Sequence, residues 1–234
     1  LDTVKQVSTI DALLAGAYDG EMTLRELLRH GDFGIGTFHA LDGEMIVYAG
    51  RVYQVRADGR VVRPPPELTT PFAAVTRFAP EWRIPVARRT DWAGLRGLVD
   101  GAGINSNLMQ AVFVRGDFAA VHTRSVPAQT KPYPPLAEVT RQQPEFHATN
   151  VTGVLVGFRL PAYMGGINVP GYHLHFLSDD AAFGGHLLDC VLEQGVVEID
   201  QAHRFIMVLP SSGGLFGQVD LSVDRSAELL KVEH

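Results

Sequence analysis

The sequence predicts an α+β fold whose sheets are mixed or mainly antiparallel. Segments with strand patterns outnumber segments with helix patterns along the chain. Asp58-Gly59 and Gly116-Asp117 each separate two apolar runs and predict antiparallel hairpins, which argue against a sheet of simply alternating strands and helices. With 46% hydrophobic and 20% charged residues among 234, the composition is that of a globular protein with a buried core.

Two helix patterns come first in the chain. Ser8, with Asp11 three positions later, forms a capping-box arrangement and predicts a helix through Tyr18. Thr23 and Glu26 repeat this arrangement for a helix at 24–29. The other elements predicted in this half are a loop entering a strand at 31–38, strands at 45–48, 52–56, 60–62 and 72–78, and a helix at 91–99.

The second half is predicted to be mainly strands. Strands at 111–115 and 118–126 flank Gly116-Asp117 as a hairpin, and a helix at 136–142 stops before Pro144. Further predicted elements are strands at 153–160, 171–177, 186–192, 196–199 and 205–209, and a helix at 225–231. No linker-like segment divides the chain. We expect two interlocked subdomains, 1–150 with helices and hairpins and 151–234 mainly of strands.

Composition excludes several classes of function. The net charge is −6 and the positive residues are scattered, so no nucleic acid partner is expected. No apolar stretch approaches the roughly 20 residues that span a bilayer, so we expect a soluble protein without a membrane partner. The single cysteine, Cys190, lies in an apolar run typical of a small buried side chain. We expect a cytoplasmic location, or secretion if a leader was removed before Leu1.

Three histidines form a pattern that suits a metal ion. His173 and His175 are two residues apart on a predicted strand, so their side chains project from the same face. His186 follows eleven positions later, where a hairpin would place its imidazole beside the other two. Three imidazole ligands suit a transition metal and leave a coordination position open for substrate. The pattern alone also allows histidines that only face solvent or satisfy hydrogen bonds in the core.

The segments that carry these histidines resemble a known family. Gly171-Tyr-His-Leu-His-Phe176, followed by Gly184-Gly-His-Leu-Leu-Asp189, resembles the metal-binding signature of acetolactate decarboxylases. Further motifs are similar to that family in the same order along nearly the whole chain: 13–20, 31–38, 41–44, His122-Thr-Arg-Ser-Val126, 154–158 and 166–169.

The resemblance implies the conversion of 2-acetolactate to acetoin and CO2, with Zn2+ or another divalent transition metal at the three-histidine site. A Lewis-acidic metal would stabilise the enediolate that remains after CO2 leaves, so neither thiamine diphosphate nor pyridoxal phosphate is needed. The subdomain 151–234 would then be the metal-binding one. The resemblance also makes a homodimer with joined sheets the expected assembly.

The resemblance further implies three catalytic residues. Arg124 matches the family's active-site arginine and would orient the substrate carboxylate or the developing oxyanion. Glu44 and Glu233 match two active-site glutamates, one of which would relay the proton that quenches the enediolate. Thr37 is a further candidate for the cavity wall. An apolar anchor of Leu229, Leu230 and Val232 would hold Glu233 in place.

The other histidines have no comparable neighbours in sequence and are interpreted as structural or surface residues, with His122 a candidate neighbour of the site: His30, His39, His122, His147, His203 and His234. Two alternative functions remain open at this point. One is another three-histidine metal enzyme, a hydrolase or an oxygenase. The other is a metal-binding or small-ligand-binding protein without turnover.

Overall fold

A computed structural model describes residues 2–211 and 213–233 of the chain. The strands are β1 (Thr3–Val7), β2 (Met22–Thr23), β3 (Phe33–Thr37), β4 (Glu44–Tyr48), β5 (Arg51–Val55), β6 (Val61–Val62), β7 (Thr69–Thr70), β8 (Ala73–Thr76), β9 (Trp82–Val86), β10 (Thr90–Asp91), β11 (Met109–Arg124), β12 (Glu145–Leu160), β13 (Gly171–Ser178), β14 (Gly184–Ala202) and β15 (Arg204–Val208). The helices are α1 (Ile10–Leu14), α2 (Leu24–Leu27), α3 (Trp92–Asp100), α4 (Leu136–Val139) and α5 (Ser226–Glu233).

The first of two large sheets has seven strands in the order β15-β1-β8-β3-β4-β5-β6. Its pairs are antiparallel except for β1 with β15, which run parallel. A separate small ribbon consists of β2 and β7. The prediction of an α+β fold with mainly antiparallel sheets is confirmed.

The second large sheet is built from four long antiparallel strands. β11 lies between β12 and β14, and β12 pairs on its other side with β13. The first residues of β14 also pair with β13, so the sheet closes on itself at that end. Strands β9 and β10 extend it along β14. This closure brings β13, the start of β14 and the end of β11 together.

Apolar side chains fill the space between the two large sheets. Phe33 and Ile46 of the first sheet and Phe113 and Phe158 of the second are buried in one cluster. The opposite face of the second sheet forms another cluster with α3. A third cluster holds α1, α4 and α5 against the strand ends, with Leu229 and Val232 of α5 buried in it. Burial of these faces is the main favourable contribution to the fold.

Two predictions about the strands were wrong. The Gly116-Asp117 pair is not a hairpin turn but lies inside the continuous strand β11. Gly116 is opposite both Gly153 and Gly195, and a Cβ on it would lie 2.3 Å from the carbonyl oxygen of Gln194. The glycine therefore serves close approach of three strands rather than chain reversal. The segments 186–192 and 196–199 likewise belong to one strand, β14.

The first helix begins at a different cap from the one predicted. The side chain of Thr9, not Ser8, accepts a hydrogen bond from the amide of Ala12, because Ser8 has a φ of 62° and lies outside the helix. The cap at Thr23 was predicted correctly, since its hydroxyl accepts from the amide of Glu26. No helix in the described residues is long and apolar enough to cross a bilayer. The division at residue 150 stays a prediction.

Candidate metal centre

The three histidines singled out by their spacing converge between the two large sheets. His173 and His175 lie on the same face of β13, and His186 of β14 is directly opposite His175 in the antiparallel register. The Nε2 atoms of His173 and His175 are 3.2 Å apart, and one ring nitrogen from each of the three lies within 4.8 Å of the others. The predicted hairpin therefore does bring the third imidazole beside the first two.

Hydrogen bonding and burial hold the imidazoles in the form that a metal requires. Nδ1 of His175 lies 2.8 Å from the carbonyl oxygen of Met45, which can only accept, so Nδ1 donates and Nε2 keeps its lone pair. Burial lowers the pKa of His173 to about 3, and that of His175 well below its ordinary value. Both rings are therefore neutral at neutral pH, and neutral imidazole is a metal ligand.

The spacing of the two Nε2 atoms on β13 fits a tetrahedral cation. Zinc binds imidazole nitrogen at about 2.0–2.1 Å, so two ligands at a tetrahedral angle lie roughly 3.3 Å apart. The 3.2 Å between the two Nε2 atoms on β13 matches this separation. The carbonyl of Met45 is the kind of outer partner that fixes the tautomer of a ligating histidine. The group of residues therefore fits a divalent transition metal.

Two carboxylates flank the histidines from opposite elements. Oε2 of Glu44, at the start of β4, is 3.6 Å from Nε2 of His175. Oε2 of Glu233, on α5, is 3.7 Å from Nε2 of His186 and 3.9 Å from Nε2 of His173. Burial raises the pKa of Glu44 to about 7; the guanidinium of Arg124 lowers it and the carboxylate of Glu233 raises it. The centre thus has acidic oxygens on both sides.

Arg124 is the buried cation of the site. It ends β11 opposite His186, and 3% of its side chain is exposed. Its Nη1 donates to Oε1 of Gln143 at 2.7 Å, and its Nη2 lies 4.0 Å from Oε1 of Glu233. Its Nε is buried and has no hydrogen-bond partner among the described residues. A buried donor without a partner is costly unless a ligand satisfies it, and a carboxylate is the natural partner of a guanidinium.

Helix α5 is held beside the site by two of the three apolar residues that were expected to anchor it. Leu229 and Val232 are 7% and 3% exposed, whereas Leu230 is 61% exposed and takes no part in the anchor. The side chain of Glu233 is 8% exposed as a result of this docking. A cavity of about 550 Å³ reaches His186 and Glu233. Of the three histidines, His186 is the one that lines it.

The structure brings together all six residues singled out from the sequence. Thr37 lines the small cavity beside them, but its hydroxyl donates to the carbonyl of Gly43, so it holds the turn before Glu44. The sequence did not point to Gln143 or to the carbonyl of Met45, because neither residue type carries a pattern of its own. His234 lies outside the described residues.

Comparison with known proteins gives a consistent result. A family model described as alpha-acetolactate decarboxylase matches residues 4–223. The alpha-acetolactate decarboxylase of Methylococcus capsulatus is 46% identical over 231 residues, covering 99% of this chain and 88% of that protein. That of Klebsiella aerogenes is 46% identical over 212 residues, covering 89% of this chain and 80% of that protein.

Solved structures are similar over the same extent. The crystal structure of acetolactate decarboxylase from Bacillus subtilis subspecies spizizenii superimposes with a TM-score of 0.96 at 37% identity. The superposition covers 99% of this chain and 100% of that one. A Staphylococcus aureus protein described as similar to alpha-acetolactate decarboxylase gives a TM-score of 0.94 at 30% identity.

Proposed function

Because this chain belongs to the alpha-acetolactate decarboxylase family, we propose that it is a carboxy-lyase that converts 2-acetolactate to acetoin and CO2 in acetoin biosynthesis. The observation that carries the proposal is the buried guanidinium of Arg124, whose Nε has no hydrogen-bond partner within residues 2–211 and 213–233, beside three converging imidazoles. This arrangement suits a small anionic substrate with oxygen atoms that a metal can hold.

We assign the metal to His173, His175 and His186 and propose Zn2+ as the ion, with other divalent transition metals possible. When bound, the ion supplies a Lewis acid that stabilises the negative charge left on the substrate as CO2 departs. The neutral imidazoles of His173 and His175 and the 3.2 Å between their Nε2 atoms support this assignment.

The protein's own residues bind the substrate and handle its proton. The guanidinium of Arg124 orients the substrate carboxylate through its planar set of donors. Glu44 and Glu233 lie on either side of the histidines, so one carboxyl group holds the proton that the product carbon receives, and the other supports the substrate hydroxyl. Docked α5 keeps bulk water away from the reacting carbon. The large cavity beside Glu233 is the access route.

The proposal is tested by acetoin formation from 2-acetolactate under anaerobic conditions, with protein stripped of metal and then reloaded with Zn2+. We expect CO2 and acetoin in equal amounts without oxygen. Replacing any one ligand, as in His173→Ala, His175→Ala or His186→Ala, is expected to abolish tight zinc binding and turnover. His203→Ala is the matched control, because His203 is exposed and outside the site. No acetoin from the zinc-loaded protein would refute the function, and full zinc content and activity in any ligand variant would refute the ligand set.

We also propose that the chain forms a homodimer; its cytoplasmic location stays a prediction. Strand β15 is at one edge of the first sheet, and Ile206, Met207 and Leu209 on or beside it are 50%, 37% and 49% exposed. An apolar edge strand is prone to pair with another chain, and a second copy would cover it. Sedimentation of the wild type and of Ile206→Lys tests this; a monomeric wild type would refute it.

A further inference from the structure

A second group of side chains that could bind a metal ion, two histidines and a glutamate, lies outside the buried centre. His122 of β11 is directly opposite His147 of β12, and Glu145 is two residues before His147. Directly paired residues, and residues two apart on one strand, share a face of the sheet. Pairing of β11 with β12 thus places two imidazoles and one carboxylate side by side at the sheet surface.

The side chain of His122 contacts both of the other side chains. The rings of His122 and His147 stack with their centroids 4.0 Å apart and their planes at 17°. Nε2 of His122 is 2.8 Å from Oε2 of Glu145. One possible ligand atom from each residue lies within 4.8 Å of the other two. Arg124 is paired with Glu145 in the strand register, but its guanidinium donates to Gln143, and the carboxylate of Glu145 contacts His122.

We propose that His122, Glu145 and His147 form a second, surface site for a divalent transition-metal ion, separate from the three buried histidines. Two imidazoles and one carboxylate are a ligand set that zinc accepts in proteins. A tetrahedral ion needs ligand atoms roughly 3.3 Å apart, which is closer than the 4.8 Å within which the ligand atoms of these three residues lie. The side chains of His122 and Glu145 are 28% and 49% exposed, so small rotations can bring the ligand atoms together.

The exposure of the site determines its affinity relative to the buried centre. Exposed ligands lose side-chain entropy when an ion orders them, and water fills the remaining coordination positions. The surface site therefore binds more weakly than the buried one. His122 and Glu145 line the same cavity of about 550 Å³ that reaches His186 and Glu233. An ion at this site lies on the wall of the cavity that reaches His186.

The test is the number of zinc ions bound per chain, measured by equilibrium dialysis against increasing Zn2+ followed by elemental analysis. The wild type is expected to bind two ions with separate affinities, and the double variant His122→Asn/His147→Asn to lose the weaker one. Glu145→Gln should weaken the same ion. His203→Asn, an exposed histidine elsewhere, is the matched control and should keep both. Circular dichroism checks that each variant is folded.

The buried centre is separated from the surface site by His175→Ala, which should lose the tighter ion and keep the weaker one. A wild type that binds a single ion, or a double variant that still binds two, would overturn the proposal. Acetoin formation is measured independently, so failure of the decarboxylase assignment would leave the zinc counts, and this inference, unaffected.

Discussion

The substitution Leu229→Ala tests whether docking of α5 positions Glu233 beside the histidines. Leu229 is 7% exposed and packs with α1 and α4, whereas its neighbour Leu230 is 61% exposed. Helix α5 has eight residues, and isolated helices shorter than about 12–15 residues are marginal in water. Its position, and with it that of Glu233, therefore depends on the apolar contacts of Leu229 and Val232.

The expected size of the effect follows from this burial. Leu→Ala at a buried position costs about 2–5 kcal/mol. If α5 undocks locally, a loss of about 3 kcal/mol shifts the docking equilibrium roughly 100-fold, since about 1.4 kcal/mol corresponds to tenfold. Leu229→Ala should thus raise the ratio of undocked to docked α5, and with it the displacement of Glu233 from the histidines, by roughly 100-fold. Leu230→Ala should change stability by less than about 0.5 kcal/mol, because that side chain is mostly in water.

The assay compares acetoin formation by the wild type, Leu229→Ala and Leu230→Ala at matched zinc content. Hydrogen exchange of the α5 amides is followed in parallel, to separate local undocking from global unfolding. We expect slower turnover and faster exchange in α5 for Leu229→Ala alone. Wild-type turnover and exchange in Leu229→Ala, or equal losses in both variants, would show that docking does not position Glu233.

Three further predictions concern single residues. Arg124→Lys keeps the charge but loses the planar set of donors, so turnover should fall while zinc content stays intact. The expected fall is roughly 10-fold to 100-fold, because losing one charged hydrogen bond changes a rate by about that factor. Unchanged kinetics would contradict the role of Arg124. Glu233→Gln should lower turnover by about 100-fold or more, because a positioned proton-transfer group contributes a rate factor of about that size. The unfolding midpoint should not change. A rate equal to that of the wild type would leave Glu44 as the remaining candidate for the proton transfer. In Gly157→Ala the new Cβ would lie 2.1 Å from the carbonyl oxygen of His173, so thermal unfolding should show a loss of about 1–3 kcal/mol. Gly97→Ala in α3 meets nothing within 4 Å and should be neutral or stabilising, and equal midpoints for these two glycine variants would count against the close approach.

Local patterns predicted those elements whose structure is decided locally. Asp58-Gly59 does connect β5 and β6, and Thr23 does cap α2. The same type of pattern failed at Gly116-Asp117, because a glycine can serve either chain reversal or close packing, and the partners that decide between the two are Gly153 and Gly195. The residues next to Gly116 in the sequence do not indicate which strands will pair with it.

The two longest strands that the sequence analysis missed, β1 and β9, share a related reason. β1 has only five residues with Lys5 and Gln6 among them, and it is held by β8 and by β15 from the far end of the chain. β9 contains Arg83 and Pro85 and lies along β14. Such strands form because a distant neighbour offers an edge for pairing, and five residues that include a proline or two polar side chains give too short a pattern to predict them.

The candidate site divides in the same way. His173, His175 and His186 could be grouped from strand geometry and one hairpin, since they are close in sequence. Glu44 and Glu233 come from opposite ends of the chain, and only the resemblance to a family linked them to the histidines. The pair His122 and His147 was passed over, because 25 residues and the misread turn at Gly116 hid their cross-strand pairing.

The hydrogen bond from His175 to the carbonyl of Met45 joins the two large sheets at the candidate centre, since β13 and β4 belong to different sheets. The ring has its binding orientation only when the sheets are packed, so any ion held there is a ligand of the native state and not of a partly folded chain. By mass action, an ion present at 100 times its dissociation constant stabilises the fold by about 2.7 kcal/mol. The supply of free metal in the cell would thus govern how long each molecule survives proteolysis, as well as how many centres are filled.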